Sequence, residues 1–240
     1  MLGLHRPDLD AVFLDAGNTL ITLDHALVCD VLAAAGVTYS AEALARAEAA
    51  ARPALSAYVG SRGASEGQDT FTFYVARILA GLGVETRAAD DLAPRIVHTL
   101  RHDVGTRRLW SHVLPGVPAA LGALHAAGLR LAVVSNSDGT VEESLSSLGL
   151  RDHLDAVVDS AVVGWEKPDA AIFHHALDLV GARPDRTLHI GDLYSVDVLG
   201  ARGAGLHALL LDPYGDWDGV DCPTVPDLAA LVRTLLDGGR

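Results

Sequence analysis

From Pro115-Gly116 onward the chain keeps one rhythm, and that rhythm constrains the fold more than any other feature. The pattern predicts a helix over 117–127 that stops at Gly128, a strand over Leu129–Val134, a helix over 140–148 and a strand over 155–159. It continues with a helix over 170–180, a strand over 187–190, a helix over 196–204, a strand over 207–211 and a last helix from about 227 to 236. Strands separated by such helices need right-handed crossovers, so they assemble into a doubly wound parallel sheet covered on both faces. One more apolar run, residues 9–15 (Leu-Asp-Ala-Val-Phe-Leu-Asp), ends in an acid and reads as a buried strand.

Between that run and the rest, residues 24–104 offer no comparable strand. Phe71, Tyr74, Val75, Ile78, Leu79 and Leu82 fall on one helical face, and Leu27, Val28, Val31 and Leu32 do the same ahead of Gly36. Residues 41–57 are alanine-rich, and 88–102 read as a helix with Pro94 near an end. The simplest architecture is an α/β core of residues 1–20 and 109–240, interrupted by an all-helical insert over 21–108.

Composition narrows the partners. Half of the 240 residues are hydrophobic and the net charge is −13, which speaks against nucleic acid and anionic membrane surfaces. The N-terminus carries His5, Arg6, Asp8 and Asp10 instead of a signal peptide's apolar run. The most apolar stretch, 113–134, is broken by Pro115, Pro118, His125 and Arg130, so no membrane helix is expected there. Two cysteines, Cys29 and Cys222, make no disulfide framework. A cytoplasmic location is the expectation. Of the 18 basic residues, 17 are arginine and one, Lys167, is lysine.

Ligands of open parallel sheets bind at the carboxyl ends of the strands. Those ends carry Asp15-Ala16-Gly17-Asn18-Thr19-Leu20, then Ser135-Asn136-Ser137-Asp138-Gly139, then Gly164-Trp165-Glu166-Lys167-Pro168-Asp169, then Gly191-Asp192 with Asp197 five positions beyond. Singly they are ambiguous. Asp15 could merely end a strand, Ser135 to Gly139 could be a turn and helix cap, and Asp197 could be a solvated acid in a helix's first turn.

In this order, the four segments resemble the haloacid dehalogenase superfamily, whose members are mostly phosphate-ester hydrolases. The resemblance spans Leu9 to about Asp212, and the insert matches in placement the helical cap that many members carry. It implies a Rossmann-like core with the first strand central and Mg²⁺ as cofactor. Asp15 matches the family nucleophile, whose attack on phosphorus gives an aspartyl-phosphate. Asp15, the Gly17 carbonyl and Asp192 match the metal ligands, with Asp197 an outer partner or a further ligand. Ser135 and Lys167 match the hydroxyl and the cation that attend the phosphoryl group, with Ala16, Gly17 and Asn136 beside the substrate. A helix beginning near Thr140 adds an N-terminus close to the anion. The lysine argument is also compositional: a chain that writes arginine everywhere else keeps its one lysine just before Pro168, where a planar fork would not replace a compact ammonium.

One position departs from the pattern. Most phosphatases of the superfamily carry a second aspartate, the general acid and base, two residues after the nucleophile; here that residue is Gly17. The expected function is therefore a Mg²⁺-dependent hydrolase of a small phosphorylated metabolite with altered acid–base chemistry. The alternatives are a phosphate- and metal-binding regulatory protein without turnover, and a metal-independent dehalogenase-like hydrolase. The phosphonatase branch needs a lysine in the cap, and residues 21–108 contain none. Adjacent His174 and His175 point about 100° apart on a helix and read as surface residues. Cys29 reads as a small core residue, and the acidic, aromatic stretch Asp212–Asp221 as a loop packed beside the core.

Overall fold

A computed structural model describes residues 6–62 and 67–237. By its internal contacts the chain forms two compact units, one of residues 1–21 and 113–240 and the other of residues 22–112.

The first unit is an α/β sandwich. Its sheet contains β1 (Ala11–Leu14), β4 (Arg130–Ser135), β5 (Ala156–Asp159), β6 (Thr187–Gly191), β7 (His207–Leu211) and β8 (Thr224–Val225), in the order β5-β4-β1-β6-β7-β8. All five pairings are parallel. The first strand is thus central, with Phe13 level with Ala132 on one side and His189 on the other. Every residue of β1 is fully buried, as a strand covered by helices on both faces must be. The covering helices are α6 (Val117–Ala126), α7 (Val141–Ser147), α8 (Ser160–Val163), α9 (Ala170–Val180), α10 (Leu199–Gly203) and α11 (Leu228–Val232). Aspartates start three of them: Asp159 accepts from Ala161 N at 3.0 Å, Asp169 from Ala171 N at 2.9 Å and Asp227 from Ala230 N at 2.6 Å. Two short strands, β2 (Ile21–Thr22) and β3 (His112–Val113), pair in a separate ribbon. No helix among the described residues is long and apolar enough to cross a membrane.

The sequence misplaces some boundaries. The edge strand β8 follows the loop Asp212–Asp221 and is too short to show a period. The helix expected over 196–204 begins as a π turn at Tyr194–Val198. Trp217, Val220 and Cys222 pack partly buried against the core, as the loop reading expects.

The second unit contains α1 (His25–Ala34), α2 (Ala41–Arg62), α3 (Gln68–Gly81), α4 (Thr86–His98) and α5 (Thr106–Leu109), with α2 packed on α3 and α3 on α4. Pro94 lies inside α4 and not near the end of a helix reaching 102, because the chain changes to a π turn at Thr99–Val104. A buried acid joins three helices of this unit. Glu48 accepts from Tyr74 Oη at 2.7 Å, hydrogen-bonds His25 Nε2 at 3.2 Å, and faces Arg52 Nη2 at 3.5 Å. Burial alone would raise its carboxyl, but the Arg52 charge and the His25 and Tyr74 hydrogen bonds hold it below the ordinary range.

A depressed folded-state value stabilises the fold above the unfolded glutamate pKa, about 4.3, and that contribution fades as pH falls through the folded value. Glu48→Gln is therefore expected to cost about 1–3 kcal/mol near neutrality. In urea denaturation of the full chain, the gap between variant and wild type should narrow as pH falls below about 4.3. A gap independent of pH would show that the charge contributes nothing.

Candidate active site at the strand ends

The backbone of Asp15 continues the sheet for one more hydrogen bond, donating its N–H to Ile190 O at 2.8 Å. That bond fixes Asp15 at the carboxyl edge of the central strand. The chain then turns sharply: Leu20 N and Ile21 N both donate to Ala16 O, and Asn18 adopts a left-handed conformation with φ 53°. Asparagine tolerates that region better than most residues. Its side-chain amide donates to Asp192 Oδ2 at 3.2 Å.

Lys167 is almost wholly buried, with 1% of its surface exposed. Its ammonium donates to Asp15 Oδ1 at 2.8 Å and to Asp197 Oδ1 at 2.7 Å. Asn136 holds the lysine's main chain with both ends of its amide, accepting from Lys167 N at 2.7 Å and donating to Lys167 O at 2.9 Å. The side chain of Asn136 thus positions the lysine, a use its place in the strand-end segment does not announce. Ser135 is buried at the end of β4, the strand beside β1.

Asp197 is the most constrained acid. Besides Lys167, its Oδ1 meets His189 Nε2 at 3.1 Å, and its Oδ2 accepts from Leu193 N at 2.9 Å. It lies so close to the end of β6 that a Cβ on Gly191 would overlap its carboxyl carbon, so only glycine fits there. One carboxylate oxygen each from Asp15, Asp192 and Asp197 falls within 4.8 Å of the others.

These charges set one another's protonation. Burial would raise Asp197, but the Lys167 charge and the His189 hydrogen bond hold its carboxyl far below the usual range. Burial would lower Lys167, but the two aspartates push its ammonium well above the ordinary value. For Asp15 burial wins over Lys167 and the carboxyl is raised. Burial likewise pushes the His189 imidazole down, toward its neutral form.

The N-terminus of α7 is partly taken up by Asp159. Its carboxylate accepts from Gly139 N at 3.1 Å and Val141 N at 3.3 Å, and also caps α8 at Ala161 N. His189, Asn18 and Asp159 were not singled out from the sequence. A polar residue inside the apolar run 187–191 was the one available signal for His189.

The core is a doubly wound parallel sheet with carboxylates and a lysine gathered at its carboxyl edge, the class of α/β protein that binds ligands at its strand ends. More particularly, the chain belongs to the haloacid dehalogenase-like hydrolases, whose family model matches residues 9–205. It is 36% identical over 213 residues to haloacid dehalogenase-like hydrolase domain-containing protein 3 of Bos taurus, covering 86% of this chain and 83% of that one. It is 36% identical over 145 residues to a phosphoglycolate phosphatase of Rhodospirillum rubrum, covering 59% of each. Among solved structures, a putative hydrolase of the same superfamily from Bacillus subtilis, bound to magnesium, shares the fold. The TM-score is 0.63 at 18% identity, over 95% of this chain and 98% of that one.

Removing the buried ammonium leaves two carboxylates unpaired. Lys167→Met is expected to cost about 3–5 kcal/mol near neutrality without divalent ions. In that variant the folded state holds protons on Asp15 or Asp197 more tightly than the unfolded chain does, so part of the loss should return on acidification to about pH 5. Thermal denaturation at the two pH values checks both points.

Proposed function

We propose that this hydrolase cleaves a small phosphorylated metabolite, with Asp15 as nucleophile and Mg²⁺ as cofactor. The observation that carries the reading is the Lys167 bridge to Asp15 inside a cluster of three carboxylates. The cluster is a fit for a hard divalent cation. Its donors are oxygens, and three aspartates against one lysine leave it two negative charges in buried surroundings. Asp15, Asp192 and the Gly17 carbonyl would hold the ion, while Asp197 acts behind them through Lys167. When bound, the ion offsets the repulsion between these carboxylates and an anionic substrate.

Asp15 attacks phosphorus and the ester oxygen leaves, giving an aspartyl-phosphate. Water then cleaves that acyl phosphate, releasing inorganic phosphate and restoring the carboxylate. Lys167 offsets the negative charge of the nucleophile and supplies a fixed positive centre for the phosphoryl oxygens. The Ser135 hydroxyl, with the main chain at Ala16, Gly17 and Asn136, orients them. The phosphatase named among the relatives supports a small phosphorylated substrate.

Gly17 offers no side chain to protonate the departing oxygen, and such general acid help is worth roughly 10²–10⁴ in rate. Substrates whose leaving group departs unprotonated, such as acyl and aryl phosphates, are therefore favoured over alkyl phosphates. A metal-independent dehalogenase would have no use for the Asn18-held Asp192.

With Mg²⁺, acetyl phosphate and p-nitrophenyl phosphate should be hydrolysed, and glycerol phosphate slowly. Chelation by EDTA and Asp15→Asn should each reduce the rate to background. Gly17→Asp should raise alkyl-ester hydrolysis by about 10²–10⁴-fold. Activity surviving in Asp15→Asn, or chloride released from 2-chloropropionate without metal, would sink the phosphatase reading.

A further inference from the structure

His189 lies in the middle of β6, with no exposed surface, flanked in register by Phe13 on β1 and Ala208 on β7. The edge of the Phe173 ring meets it, with centroids 5.0 Å apart. An imidazole here sits in a strand whose neighbours Leu188 and Ile190 are buried and apolar. It also leaves an unsatisfied atom, since Nδ1 has no hydrogen-bond partner. An orphaned buried polar atom costs stability, so the position calls for a compensating role.

Its other nitrogen supplies one. Nε2 faces Asp197 Oδ1 at 3.1 Å, and a carboxylate only accepts, so Nε2 carries the proton and Nδ1 does not. The same oxygen receives the Lys167 ammonium at 2.7 Å, and that ammonium reaches Asp15 at 2.8 Å. Leu193 N fixes the second oxygen of Asp197 at 2.9 Å. Without the imidazole, Asp197 could turn about its last torsion and Lys167 would lose its fixed anchor.

We infer that His189 is a positioning residue, which orients Asp197 and through it holds the Lys167 ammonium on Asp15. The kinetic side of this inference rests on the phosphatase reading; the spectroscopic side does not.

The single lysine makes the test direct. Protein labelled with ¹⁵N-lysine gives one side-chain ammonium signal from within the fold, that of Lys167. In His189→Leu this signal should shift and its exchange with solvent should quicken, while the melting temperature is kept or raised because the orphaned nitrogen is gone. On p-nitrophenyl phosphate, kcat should fall about 10–100-fold, with KM little changed. His189→Gln, which restores a donor toward Asp197, should recover the signal and much of kcat. An unchanged lysine signal in His189→Leu overturns the inference. So does a loss of melting temperature in step with kcat that His189→Gln fails to repair, for that is the behaviour of a packing residue. If wild type cleaves no phosphate ester at all, the phosphatase reading fails, and the lysine signal alone still decides the role of His189.

Discussion

A lysine ammonium buried between two aspartates is the interaction on which the strand-end arrangement depends. Removing such charges from water costs several kcal/mol per ion, and their attraction compensates only when every partner is held in place. The surrounding structure supplies that restraint from several directions. Asn136 grips the lysine's main chain, Leu193 N and His189 grip Asp197, and the β1–β6 hydrogen bond fixes Asp15. Gly191 is glycine because the Asp197 carboxyl occupies the space its side chain would need. A pair of this kind adds little net stability, so its persistence points toward chemistry.

The sheet does the gathering. Residues far apart in the chain, such as Asp15, Ser135 and Asp192, follow or end neighbouring parallel strands, and parallel strands all deliver their carboxyl ends to one edge. Right-handed crossovers then place the α9 side of the core where Lys167 can reach inward. Asp159 shows the complementary economy. One carboxylate accepts from Gly139 N and Val141 N at the start of α7 and from Ala161 N in α8, which steadies the loop after Ser135.

The fold and the gathered side chains were legible because each strand end announces itself. Apolar runs stop at Asp15, Ser135 and Gly191-Asp192, and strand–helix alternation fixes their common edge. What escaped were partners set by tertiary geometry. His189 is one polar letter in a buried strand, and nothing in the one-dimensional pattern says that it meets Asp197 eight residues later. Asn136 was noticed for its place in a loop, yet its amide mimics a backbone pair with Lys167 across 31 residues of sequence. The Asp159 bonds at the start of α7 escape for the same reason, since Asp159 comes from the next strand. The two-residue strand β8 and the π turn at Tyr194 lie below the length at which periodicity has meaning.

The lysine count acquires a physical reason from the geometry. One nitrogen serves both Asp15 and Asp197 at 2.8 and 2.7 Å, which a tetrahedral ammonium does with two of its three N–H bonds. A guanidinium spreads its donors over a plane and would need its two partners side by side along that plane, with more room than a nearly sealed cavity leaves. Elsewhere among the described residues arginine reaches exposed acids, as Arg77 does at Asp90, Arg151 at Glu142 and Arg202 at Asp221, and Arg52 reaches the buried Glu48. At those positions the wider fork serves well. Where charge must be delivered through one atom, arginine is not a substitute.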